Sequence, residues 1–174
     1  MLEWLLPHQV AGTIYDIDLE KLRAEGVTGI ICDLDNTLVG ARVPSATPEL
    51  VAWLERVRSM GFRVVVVSNN RRARVSRFAE PHGIPYIYNA RKPIRASFRK
   101  ALALLGVEAG QAVVIGDQLL TDVLGARRTG LRVILVRPIA PAEESVFTRV
   151  NRLIERAALR RLTRRGLWPK EDHR

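Results

Sequence analysis

The chain has 174 residues, 47% apolar and 26% charged, with a formal net charge of +10, which suits one domain built around one sizeable core. No apolar run approaches the roughly 20 residues of a membrane-spanning helix. The start, MLEWLLPHQV, has Glu3, an early Pro7 and no leading basic stretch, which argues against a secretory signal and for a cytoplasmic protein. The lone Cys32 excludes a disulfide-stapled scaffold and reads as a small buried strand residue.

In chain order, Thr28 to Leu34 (TGIICDL) reads as a buried strand, rich in Ile without strict alternation. Thr47 stands before Pro48 as a cap stands before a first-turn proline, and a helix is expected from Pro48 to Met60. The strand Arg63 to Val67, a helix from Arg71 to Glu80 and a short strand at Tyr86 to Tyr88 follow. Next come a helix from Pro93 to Leu105, the strand Ala112 to Ile115, a helix from Leu119 to Thr129 and the strand Leu131 to Val136. Gly61, Gly106 and Gly130 fall where helices end. This alternation predicts right-handed βαβ units and an open α/β fold with a central parallel sheet. In such sheets ligands bind beyond the carboxyl ends of the strands.

The residues at those ends carry chemistry. After the first strand comes Asp33-Leu34-Asp35-Asn36-Thr37, whose two carboxylates can face one small volume if the turn redirects the second. One can attack phosphorus to form an acyl phosphate while the other handles protons. Like charges so close require a cation, and an all-oxygen site suits Mg²⁺. After the second strand, Ser68-Asn69-Asn70 offers a hydroxyl and amides at a helix start, fit to hold phosphate oxygens. Lys92 supplies a compact positive charge. Gly116-Asp117-Gln118-Leu119-Leu120-Thr121-Asp122 then adds a turn glycine, a further metal-binding carboxylate and a supporting acid. Each signal alone reads more simply as a cap, a turn or a surface charge. Their order, each after a predicted strand, favours a common site.

In that order the four stretches resemble motifs one to four of the haloacid dehalogenase (HAD) superfamily of phosphohydrolases. The resemblance implies a HAD-like Rossmannoid three-layer sandwich, with Asp33 as nucleophile and Asp35 as general acid and base. It further implies Ser68, Asn69 and Lys92 as phosphate-binding residues, and Asp33, the Asp35 carbonyl and Asp117 as Mg²⁺ ligands. Thr37, Gly116 and Asp122 would support them. Along most of the chain the sequence is similar to the YqeG-type branch, itself similar to a mitochondrial phosphatidylglycerophosphatase. The expected reaction is hydrolysis of phosphatidylglycerol phosphate to phosphatidylglycerol. Between Thr37 and Ser68 there is room for one loop, one helix and a strand, so no large cap domain is expected. An open site accepts a phosphate carried by something bulky.

The stretch 144–166 reads as a basic amphipathic helix appended to a core at about 26–138, within one domain spanning 1–174. At 100° per residue, Val146, Phe147, Val150, Leu153, Ile154, Ala157 and Ala158 share one face, while Arg149, Arg152, Arg156 and Arg160 lie opposite. Such a helix suits the anionic inner face of a membrane, as a peripheral contact. A solvated basic surface above ordinary core packing is the plain alternative.

Other classes fit less well. Six residues after Cys32 stands Leu38, not the arginine of a cysteine phosphatase loop, and no GxxxxGK precedes a Ser or Thr. His8, His82 and His173 have no metal or triad spacing. Two alternatives remain beside the lipid phosphatase: a HAD phosphatase acting on nucleic-acid ends or phosphoproteins, and a basic RNA- or ribosome-associated protein. Oligomeric state is left open by the sequence.

Overall fold

The computed structural model describes residues 2–141 and 146–169. The chain forms β1 (Gln9–Ala11), α1 (Leu19–Ala24), β2 (Gly29–Cys32), α2 (Pro48–Ser59), β3 (Arg63–Val67) and α3 (Arg72–Ala79). It continues through β4 (Tyr86–Ile87), α4 (Arg95–Leu105), β5 (Ala112–Gly116), α5 (Leu124–Thr129), β6 (Arg132–Val136) and α6 (Val146–Arg164). The six strands form one parallel sheet in the order β1-β6-β5-β2-β3-β4.

Strand pleating explains the layers. Ile30 and Cys32 point to one face of the sheet, where Leu50, Trp53 and Leu54 of α2 and Phe78 of α3 cover them. Ile31, Val65 and Val114 point to the other, under Phe98 and Ala101 of α4, Ala126 of α5 and Leu162 of α6. The expected α/β three-layer sandwich with a central parallel sheet is therefore what the chain forms. Burial on both faces accounts for strands that read as continuous apolar runs, and Cys32 is fully enclosed, its thiol pushed up by burial.

The helix-start expectation at Thr47 holds in detail, since its Oγ1 accepts the Leu50 N–H at 3.2 Å. Between Thr37 and Ser68 the chain makes a tight turn, α2 and β3, with no inserted cap. Three elements differ from expectation. Edge strand β1 and helix α1 are too short for a periodicity signal. The helix expected from Leu119 opens instead as a widened π-helical turn, Leu119–Val123, before α5.

α6 forms, but rolled differently from its sequence pattern. Its inward residues are Glu155, Ala158 and Leu162, while Val150, Leu153 and Ile154 are 51%, 63% and 53% exposed. Arg152 is turned toward the sheet instead of outward with Arg156 and Arg160. The side chains of Val146, Phe147 and Arg149, and residues 144 and 145 of the expected helix, lie outside the described residues.

Candidate active site

Asp33 sits at the carboxyl end of β2, its N–H still bonded to the Ile115 carbonyl of β5 at 2.9 Å. The chain then reverses at Asn36, whose φ of 66° lies in the left-handed region that Asn tolerates. The Asn36 N–H closes this turn on the Val39 carbonyl at 2.7 Å. From this turn Thr37 Oγ1 reaches Asp117 Oδ1 at 3.3 Å. Asp117 and Asp122 come from the turn after β5, where Gly116 is required because a Cβ there would overlap the Asp122 side chain.

Lys92 ties these loops together. Its Nζ lies 2.7 Å from Asp33 Oδ1 and 2.7 Å from Asp122 Oδ1, with all three side chains buried. Its backbone is held by Asn69, whose Oδ1 accepts the Lys92 N–H at 2.7 Å. Asn69 thus positions the lysine loop as well as lining the cavity. Asp122 Oδ2 accepts the Gln118 N–H at 3.1 Å, so both of its oxygens are engaged within the protein.

Burial sets the electrostatics. It raises the Asp33 carboxyl to about 6, against the opposing pull of the Lys92 ammonium. It raises Asp117 well above the usual carboxylate range, with the Asp33 charge adding to the effect. Burial alone would lower Lys92, but the carboxylates of Asp122 and Asp33 outweigh it and hold the ammonium charged. One oxygen each from Asp33, Asp117 and Asp122 lie within 4.8 Å of one another. A buried all-oxygen donor set with this excess of negative charge fits a hard divalent cation.

Ser68 and Asn69 line a polar cavity of about 460 Å³ with Asp33, Asp35 and Lys92. Asp35 is turned toward α3, where Arg74 Nη2 lies 2.9 Å and Nε 3.1 Å from its Oδ1. Asn70 Nδ2 donates to Asp35 Oδ2 at 2.9 Å. The sequence reading gave Arg74 no role. Its signal was available in an arginine in the first turn of the helix that follows Ser68.

Helix α6 supplies two further groups: Arg152, expected on an outward face, and Glu155, for which no role was expected. Arg152 Nη1 donates to the Asp117 carbonyl at 2.6 Å, and its Nη2 pairs with Asp117 Oδ2. Glu155, one turn on, accepts the Leu120 N–H at 2.9 Å and the Arg152 guanidinium at 3.2 Å. Burial raises the Glu155 carboxyl, while these bonds oppose the shift. The 117–120 loop is thus bolted to α6. The interior position of Arg152 corrects the expectation that it lines an outward basic face.

Asp33, Lys92, Asp117 and Asp122 therefore converge, Thr37 touches them, and Ser68, Asn69 and Asp35 line the same opening. A family model described as HAD-hydrolase-like matches residues 89–138. The chain is 47% identical to the probable phosphatase YqeG of Bacillus subtilis strain 168, over 94% of this chain and 95% of that protein. It is 30% identical to the chloroplastic phosphatidylglycerophosphate phosphatase 1 of Chlamydomonas reinhardtii, over 94% of this chain but only 64% of that protein. Among solved structures, the cobalt-bound deoxy-D-mannose-octulosonate 8-phosphate phosphatase of Haemophilus influenzae superposes with a TM-score of 0.56 at 17% identity. That match covers 79% of this chain and 91% of the other, and it supports the fold. The near-complete match to YqeG, on a parallel sheet whose strand ends present these residues in this order, means that the chain belongs to the YqeG branch of the HAD-superfamily phosphohydrolases.

Proposed function

We propose that the protein is a Mg²⁺-dependent phosphomonoester hydrolase that works through an aspartyl phosphate on Asp33 and acts on phosphatidylglycerol phosphate to yield phosphatidylglycerol. The observation that carries the reading is the position of Lys92 Nζ, 2.7 Å from both Asp33 and Asp122. It holds one buried carboxylate ready as nucleophile and places a positive charge where phosphoryl oxygens gather. Asp33, Asp117 and the Asp35 carbonyl would hold Mg²⁺, which when bound neutralises phosphate charge.

The chain's own residues account for the bond changes. The Asp33 carboxylate attacks phosphorus in line as the bond to the leaving oxygen breaks. Asp35 gives that oxygen a proton, which requires it to reach past its contacts with Arg74 and Asn70. The Asp35 carboxylate then takes a proton from the water that attacks the acyl phosphate, restoring Asp33 and releasing phosphate. Ser68 and Lys92 bind the phosphoryl oxygens throughout, and Asn69 fixes the lysine loop.

Three features support a lipid phosphate. Among the described residues no cap covers the cavity, so a phosphate at a membrane surface can enter. No helix among the described residues is long and apolar enough to cross a membrane, so contact would be peripheral. The outer side of α6 sets exposed Val150, Leu153 and Ile154 beside Arg156 and Arg160, a pattern suited to an anionic interface. The test is phosphate release from phosphatidylglycerol phosphate in vesicles, compared with soluble sugar, nucleotide and oligonucleotide phosphates, with Mg²⁺ and with EDTA. Preference for the lipid and silence under EDTA are expected. Preference for an oligonucleotide end would replace the lipid with nucleic acid, and indifference to EDTA would remove the metal.

A further inference from the structure

A second cavity, of about 690 Å³, opens between α6 and the carboxyl ends of β1 and β6. It reaches the catalytic cluster at one point, Asp117. The phosphate chemistry uses none of its apolar walls, formed by Val10, Leu119, Leu135, Leu159 and Trp168. The cavity is open to solvent on one side, and its volume lies in the size range of ligand pockets, roughly 300–1,000 Å³. The geometry of α6 accounts for it. The helix is fastened to the 117–120 loop by Arg152 and Glu155, and its Ala158 and Leu162 join the core on the α4 side of the sheet. Held at both places, it bridges the β6 edge without closing on it.

We infer that this cavity is a hydrocarbon-chain subsite, taking one chain of an amphiphilic phosphate monoester whose head lies in the polar cavity beyond Asp117. Charge complementarity selects that occupant. The lining is apolar apart from three arginines, Arg137, Arg152 and the exposed Arg156, and two acids, Asp117 and Glu155; this formal excess of one positive charge, in a chain of net charge +10, suits an apolar tail joined to an anionic group. It suits a neutral or cationic apolar ligand less well. The subsite deepens the lipid-phosphate reading and rests on it for the position of the head.

The test uses butylphosphonate and dodecylphosphonate, whose carbon–phosphorus bonds resist hydrolysis, titrated calorimetrically below micellar concentration with Mg²⁺ present. Dodecylphosphonate should bind at least about a hundredfold more tightly, since each buried methylene adds to affinity. That ratio should fall below about tenfold in Leu159→Trp, which fills the cavity, and in Leu159→Asp, which charges it. A measurement independent of these variants is quenching by a dodecylphosphonate brominated at its chain end. Fluorescence should be quenched in the wild type and spared in Trp168→Phe, where only Trp4 and Trp53 remain. Equal affinities for the two phosphonates, an unchanged ratio in the folded variants, or no quenching of Trp168 would overturn the subsite. So would self-association that abolishes the chain-length effect, which would assign the cavity to a second copy. No turnover enters these readings. Failure to hydrolyse lipid phosphates would therefore sink the proposed activity alone, while flat affinities would sink the subsite alone.

Discussion

Among the described residues, Lys92 and Arg152 are the cations paired with the buried acidic cluster, and they act on it differently. Lys92 neutralises Asp33 and Asp122 at 2.7 Å each. Removing it leaves buried charge unpaired, a loss of about 3–5 kcal/mol. Lys92→Ala should lower the thermal midpoint measurably and reduce kcat at least about a hundredfold, as loss of an electrostatic contact in a dry site does. Arg152 fixes the Asp117 carboxylate and its carbonyl, so in the proposed mechanism it would orient a metal ligand. Arg152→Ala should weaken Mg²⁺ binding about 10- to 100-fold by calorimetry while Arg152→Lys recovers part of it. Unchanged affinity would reduce Arg152 to a fastener of α6. Asp33, Lys92 and Asp117 were legible in the sequence because each follows a strand within a spaced motif. Arg74 and Arg152 were not, since each reaches the site from a helix and depends on how that helix is rotated.

α6 shows what periodicity can and cannot give. The 100° pattern located the helix and its apolar stripe but left open whether that stripe meets a membrane or the core. In the fold Ala158 and Leu162 pack inward beside the bolt of Arg152 and Glu155, and Val150, Leu153 and Ile154 stay exposed. If this face meets anionic lipid, Leu153→Asp with Ile154→Asp should abolish co-sedimentation with anionic vesicles. Arg156→Ala with Arg160→Ala should weaken it by about 2 kcal/mol, roughly 30-fold, from about 1 kcal/mol per arginine. Binding that is insensitive to both pairs would place the interface elsewhere. β1 escaped detection for another reason. Three residues on a sheet edge carry too little pattern, and tertiary pairing with β6 determines the strand.

At the level of the whole molecule, the parallel sheet was legible because strands buried on both faces must read as unbroken Val and Ile runs, and β3 and β5 do so. The cost of concentrating carboxylates at its strand ends appears in the pH response. Burial raises Asp33 from 3.8 to about 6, and Asp117 shifts the same way. Between those values the metal-free folded chain holds protons that the unfolded chain has released, so this contribution to stability falls as pH rises through the window. A divalent ion takes the ionised forms, so its affinity should rise over the same range. The Mg²⁺-induced increase in thermal midpoint should be larger at about pH 7.5 than at about pH 5, and an increase independent of pH would contradict the carboxylate cluster as the ion's site. The most direct measurement is acid quenching during turnover, followed by borohydride reduction and peptide mass spectrometry. Reduction of an acyl phosphate to homoserine at position 33 alone, dependent on substrate and Mg²⁺ and absent in Asp33→Asn, is the expected result. Homoserine at another aspartate, or full turnover in Asp33→Asn, would contradict it.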